Sequence, residues 1–159
     1  MNRWHNHYPD NHAHFCTASV YNRNYVFAGD ALRVLYDEWE KARQALGLKI
    51  LAYCVMPNHI HILLWAERGE SIRSFLHRTL AQTSRRLQPG GGFWKERPHT
   101  LPIYSRAVLI AKMDYMHQNP LRKELVANPE EWEHSSFGQL VLNSSSPVFR
   151  CDDWGGVLA

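Results

Sequence analysis

Residues 48–65 constrain the fold more than any other part of the chain. Residues 48–56 form an almost unbroken apolar run, Pro57-Asn58 is a turn dipeptide, and 59–65 is a second run rich in Ile and Leu. Short apolar runs on either side of a turn signal predict two strands joined as an antiparallel hairpin. A hairpin with this much apolar surface is not stable alone, so further strands and helices have to cover it.

The flanking segments supply that cover. Asp30 is placed to cap a helix whose apolar positions Leu32, Leu35, Trp39, Ala42 and Leu46 recur every three or four residues, with Gly47 placed to end it. Ser71 opens a second helix, with Ile72, Phe75, Leu76, Leu80 and Leu87 on one side and Arg78, Gln82 and Arg85 on another, and Pro89-Gly90-Gly91-Gly92 terminates it. Residues 14–20 predict a first strand, and 93–104 a weak last strand interrupted by Pro98 and Pro102. Residues 106–119 predict a helix with Leu109, Met113 and Met116 as its buried stripe. Pro120 pushes Asn119 toward extended geometry at the end of that helix. The order β-α-β-β-α-β-α is that of an α+β, ferredoxin-like (βαββαβ) antiparallel sheet with helices on one face, followed by a further C-terminal helix. The other sheet face is left for another use.

Composition narrows the class. A chain of 159 residues, 45% hydrophobic and 21% charged, suits one globular domain, and no apolar run approaches the roughly 18 residues that a membrane helix needs. Residues 1–10 are polar and lack an apolar signal core, so a cytoplasmic, membrane-free protein is expected. Cys16, Cys54 and Cys151 are far apart without CxxC spacing, which argues against a disulfide framework and against a cysteine zinc site. Charge is unevenly distributed. Residues 68–106 contain eight cations against Glu70 and Glu96, a net +6 in a chain whose total is +3, so the remainder is net −3. Such a stretch suits a polyanionic partner or a solvated helix face.

His59 and His61 are the first candidate site. Alternate residues of a strand point the same way, so the two imidazoles project from one face roughly 6–7 Å apart at the backbone and can converge on one cation. The same spacing occurs at His5/His7 and His12/His14. Those pairs lie in or beside the polar terminus, where solvated histidines are expected. Only the third pair starts a rigid apolar strand. The second candidate is Tyr115, which falls away from the Leu109, Met113 and Met116 stripe, with Asn119 one turn later on the same side. Tyr115 can equally be a surface aromatic. Asn119-Pro120 can equally be the N-cap and first position of a new helix over 120–125.

The stretch Tyr53-Cys54-Val55-Met56-Pro57-Asn58-His59-Ile60-His61-Ile62-Leu63-Leu64 resembles the His-hydrophobe-His block of the single-tyrosine HUH transposases. Tyr115-Met116-His117-Gln118-Asn119-Pro120-Leu121-Arg122 resembles their tyrosine helix in the REP-associated tyrosine transposase branch. Pro129-Glu130-Glu131-Trp132-Glu133-His134-Ser135-Ser136-Phe137 is similar to that branch's C-terminal segment. The resemblance implies one catalytic domain over 1–137; residues 138–159 lie beyond it, show little periodicity and are expected to form a loosely held tail. It makes Tyr115 the nucleophile and His59, His61 and Asn119 ligands of a divalent magnesium or manganese ion, with Gln118 as the alternative third ligand. The implied partner is single-stranded DNA carrying a hairpin, as in repetitive extragenic palindromes, cut and rejoined through a 5′-phosphotyrosine. Monomer and homodimer both occur among relatives.

A free tyrosine, with a pKa near 10, needs help to lose its proton. Lys112, one turn earlier, can stabilise a phenolate, whereas His117 points elsewhere on the helix. Arg73, Arg78, Arg85, Arg86, Lys95 and Arg97 are the expected DNA-binding cations, with Phe93, Trp94 and Tyr104 available to stack on bases or to pack under the glycine-rich loop. Two readings compete with this one: a non-catalytic hairpin DNA- or RNA-binding module of the same fold, which could freely lose His59, His61, Tyr115 and Asn119, and a small zinc-dependent hydrolase in which Tyr115 is dispensable.

Overall fold

The structure is a computed structural model describing residues 6–95, 97–155 and 157. Its elements are β1 (His12–Ser19), α1 (Asp30–Leu46), β2 (Lys49–Val55), β3 (His59–Ala66), α2 (Gly69–Leu87), β4 (His99–Ile103) and α3 (Arg106–Arg122). A 3-10 turn at Pro129–Glu131 and a one-turn helix α4 (Phe137–Leu140) follow. The strands are ordered β2-β3-β1-β4, and every neighbouring pair is antiparallel. This is the expected α+β, ferredoxin-like arrangement. Among the described residues no helix is long and apolar enough to cross a membrane.

Period-two alternation divides the sheet between two cores. Cys16, Ala18, Ile60, Ile62 and Leu64 face α1 and α2, meeting Leu35, Trp39, Ile72 and Phe75. Ala13, Phe15 and Leu63 face the other way, meeting Leu109 and Met116 of α3. Each buried Ile, Leu, Phe or Met among these contributes about 1.5–3 kcal/mol. The register of β2 on β3 shifts between Ile50 and Ala52, so Leu51 is an extra residue, and it joins Ala52 in the core under α3. The second sheet face is therefore occupied by α3, which carries Tyr115 and Asn119.

Helix ends show where local signals acted. Gly47 ends α1 with φ 62°, a left-handed conformation that costs glycine little. At the other end Gly29 is the N-cap and Asp30 already lies inside the helix, paired with Arg33. The Ser105 side chain caps α3 by accepting from the Val108 N–H at 3.2 Å. Contrary to expectation, α3 does not stop at Asn119 but runs through Pro120 to Arg122. Proline removes one N–H, and so close to the helix end the turn is still closed by Lys123 N–H to Asn119 O at 3.0 Å and Leu125 N–H to Pro120 O at 3.0 Å. No new helix begins at Pro120.

The tail expected to be loose is packed. Phe149 and Cys151 are buried in the first core and Val157 in the second. The outer edge of β2 bonds to the C-terminal segment along its length. Val55 N–H donates to His134 O at 2.8 Å, Ser136 N–H to Tyr53 O at 2.9 Å, and Asp152 N–H to Ile50 O at 2.8 Å. Ile50 N–H returns a bond to Asp152 Oδ2 at 2.8 Å. An edge satisfied this way cannot template another strand.

Candidate active site

β3 sends His59 and His61 toward α3, with their ring centroids 4.9 Å apart. Cross-strand register places Ser19 opposite His59 and Thr17 opposite His61. Each ring is held from behind. His59 Nδ1 lies 2.9 Å from Asn58 Oδ1, and His61 Nδ1 lies 2.9 Å from Thr17 Oγ1. A proton on Nδ1 of each ring leaves both Nε2 lone pairs pointing forward. Burial, reinforced by His59 and Lys112, lowers the His61 pKa to about 3, and burial with Lys123 nearby lowers that of His59. Both rings are thus neutral near pH 7, the form that ligates metals.

Asn119 closes the front of this pair. Its side-chain amide, on a residue only 5% exposed, lies 2.8 Å from His61 Nε2 and 3.3 Å from His59 Nε2. In this orientation Nδ2 donates to the two imidazoles. Turning the amide about its last bond presents Oδ1 at the same place. Among the described residues no group of three or more His, Cys, Asp or Glu could hold a metal. Two imidazole nitrogens with an amide oxygen instead fit a cation that keeps positions for water and phosphate oxygens, as magnesium and manganese do. Gln118 is the preceding residue of the helix, about 100° around from Asn119.

Tyr115 stands one turn before Asn119 and is 41% exposed. Its ring centroid is 5.8 Å from that of His61 and 6.1 Å from that of Phe15. Lys112 Nζ lies 5.7 Å from the tyrosine ring and the Arg122 guanidinium 4.9 Å. Arg122 was not singled out from sequence, although it falls two turns after Tyr115 on the same side. Lys123 was missed as well, and it shares with His59 a small cleft of about 260 Å³. Thr17 was the third omission, recoverable only from the register of β1 on β3. His117 points away as expected, buried with Nε2 2.8 Å from Ser136 Oγ.

The matching family model is the IS200-like transposase, over residues 7–101. The chain belongs to this family. The transposase is 23% identical to a Haemophilus influenzae protein provisionally named a REP-associated tyrosine transposase, across 90% of this chain and 87% of that one. Its fold is similar to that of a REP-associated tyrosine transposase bound to a REP hairpin, with a TM-score of 0.82 at 20% identity, covering 96% of this chain and 93% of that one. A provisionally identified transposase of Deinococcus radiodurans matches at a TM-score of 0.50 and 21% identity, over 74% of this chain and 95% of that one. The family match contains His59 and His61 but ends before α3. The meeting of Tyr115 and Asn119 with the histidines is therefore an independent observation of the fold.

The other predicted residues of the transposase lie elsewhere. Arg73, Arg78, Arg85 and Arg86 sit on α2, across the sheet from His59 and His61. Arg73 pairs with Glu70 at 2.9 Å, and Arg86 bridges to Asp37 and Glu38 of α1 at 2.6 and 2.7 Å. Arg86 is consequently part of the α1–α2 contact. Lys95 and Arg97 are exposed on the loop before β4. Phe93 is only 2% exposed, a core residue that cannot stack on bases, because Tyr25 and Phe27 pack edge-on to it. Trp94 is half-buried with Nε1–H bonded to Thr83 Oγ1 at 2.9 Å, while Tyr104 is exposed. His14, expected to be solvated with His12, is wholly buried beneath Tyr8, and burial lowers its pKa to about 4. His5 and Glu96 lie outside the described residues.

Proposed function

We propose that the transposase cleaves and rejoins single-stranded DNA beside hairpin sequences of the REP type, with Tyr115 as nucleophile and a divalent magnesium or manganese ion bound by His59, His61 and Asn119. The observation that carries this reading is the approach of the Asn119 amide to both Nε2 atoms, with Tyr115 one turn away on the same helix. The hairpin partner is suggested by the REP hairpin bound to the structural relative.

The chain's own groups have separable tasks. Tyr115 Oη attacks the phosphorus, the phenolic proton passes to solvent, and the P–O3′ bond breaks, so that a 3′-hydroxyl leaves and a 5′-phosphotyrosine remains. The 3′-hydroxyl of a second strand then attacks the same phosphorus and the tyrosine phenol departs, which restores a phosphodiester without an external energy source. When bound, the cation neutralises charge on the non-bridging phosphoryl oxygens. Lys112 and Arg122, flanking the tyrosine ring, place positive charge where a DNA phosphate has to sit.

The test incubates the protein with a labelled hairpin bearing single-stranded flanks, with and without manganese. Manganese-dependent nicking with a covalent protein–DNA adduct is expected from the wild type, and neither from Tyr115→Phe. Nicking that survives this substitution would instead favour a hydrolase using a metal-bound water. Binding without nicking would favour a non-catalytic module.

A further inference from the structure

A cleft of about 590 Å³ opens on the opposite side of the sheet from Tyr115. It lies between the N-terminal segment, α2 and the loop before β4. Tyr8 and Trp94 contribute aromatic walls, and Leu76, Leu80 and Ala81 the apolar floor. Lys95 and Arg97 are exposed cations on its rim, while Arg73, also on the rim, already holds the Glu70 carboxylate. We infer that this cleft is a subsite for one unpaired nucleotide of the DNA strand, its base against Tyr8 and Trp94 and its flanking phosphate at Lys95 and Arg97.

The walls are fixed by contacts that packing alone does not require. Asn6 Nδ2–H donates to Pro98 O at 3.1 Å, tying the N-terminal segment to the loop across one end of the cleft. Trp94 Nε1–H bonds to Thr83, which sets the angle of the indole against α2. Tyr8 stacks on His14 with centroids 5.7 Å apart. The chain at Tyr8 runs so close over the start of α2 that a β-carbon at Gly69 would collide with the Tyr8 carbonyl. Apolar floor, aromatic walls and rim cations together match the amphipathic nature of a nucleotide, with a face to bury and a charge to pair.

The cleft is also within reach of the reacting centre. Lys95 N–H donates to Ser19 O at 2.9 Å, and Ser19 is the cross-strand partner of His59. The rim thus stands two strand spacings, about 10 Å, from the His59 backbone. A strand whose scissile phosphate sits at His59 and Tyr115 passes over this end of the sheet and enters the cleft a few nucleotides away. A duplex cannot place a base there without unpairing it, so the cleft reads a single-stranded flank and not the hairpin stem.

This inference rests on the transposase reading for the identity of the polymer, and its test is scored on binding alone, without metal. The probe is a fluorescein-labelled hairpin with single-stranded flanks, in which each flank position in turn is made abasic. For the wild type, one flank position is expected to weaken binding about tenfold when its base is removed. Ala81→Phe, which fills the cleft, should weaken the intact probe by a similar factor and show no further loss with that abasic position. Lys95→Ala combined with Arg97→Ala, at exposed positions that leave the fold untouched, should weaken binding and flatten its salt dependence. Full abasic losses persisting in Ala81→Phe, or a salt dependence unchanged in the double alanine variant, would overturn the assignment. A wild type that shows the coupling but forms no adduct counts against the phosphotyrosine chemistry and leaves the cleft assigned. A wild type that forms the adduct without any coupled flank position removes the cleft alone.

Discussion

Thr17 governs which nitrogen His61 offers. Its hydroxyl meets Nδ1 at 2.9 Å, so the Nε2 lone pair is the one that faces Asn119. Thr17→Val keeps the shape and removes this partner, and manganese affinity is expected to fall about tenfold with DNA binding little changed. Asn119→Ala should cost more, of order a hundredfold, because it removes a donor and not a support. Isothermal titration with manganese measures both, and a Thr17→Val affinity equal to wild type would contradict the support role. The faces on which His59, His61 and Tyr115 lie were legible in strand and helix periodicity, but their selection as one site came from the resemblance carried by the two blocks that contain them. Thr17, Arg122 and Lys123 were not, because their proximity follows from cross-strand register and from a helix that runs on past Asn119.

At the scale of the element, α3 is held by few but well-buried groups. Leu109 and Met116 enter the core, and His117 meets Ser136, whose Oγ also bonds the backbone of Tyr53 at 2.9 Å. Burial holds the folded pKa of His117 down to about 4, from an ordinary 6.5. Between those values the unfolded chain binds the proton and the folded chain does not. Stability should therefore be full above about pH 6.5 and fall as the pH drops toward 4, by up to about 1.4 kcal/mol per pH unit, with buried His14 acting in the same sense. Urea midpoints across this range test it, and a His117→Gln variant should show a shallower decline. An identical slope in that variant would exclude His117 as a source. The length of α3 escaped the sequence for a definite reason. A proline forbids helix only where its missing N–H and its ring conflict with a preceding carbonyl that must stay in place, and the last turn tolerates both.

For the whole molecule, the C-terminal segment is structural, although its composition shows little periodicity. Phe149 packs against Tyr36, Trp39 and Tyr53, and Arg43 lies over its ring at 4.9 Å. Phe149→Ala is expected to cost about 3 kcal/mol, read as a lowered urea midpoint. Removing residues from 148 onward should additionally uncover the β2 edge at Ile50 and promote self-association, which light scattering would detect. A truncated protein that stays monomeric and as stable as the full chain would contradict this role. The ferredoxin-like order was readable because each element carries its own period, whereas the seating of the tail depends on contacts spanning about a hundred residues, such as Asp152 with Ile50. The central claim concerns one bond, between Tyr115 and a DNA 5′-phosphate. Its most direct measurement is mass spectrometry of the proteolysed protein after reaction with a flanked hairpin and manganese. A nucleotide 5′-phosphate on the peptide containing Tyr115 is the expected result. Nicked DNA with that peptide unmodified, or a nucleotide on another residue, would contradict the account.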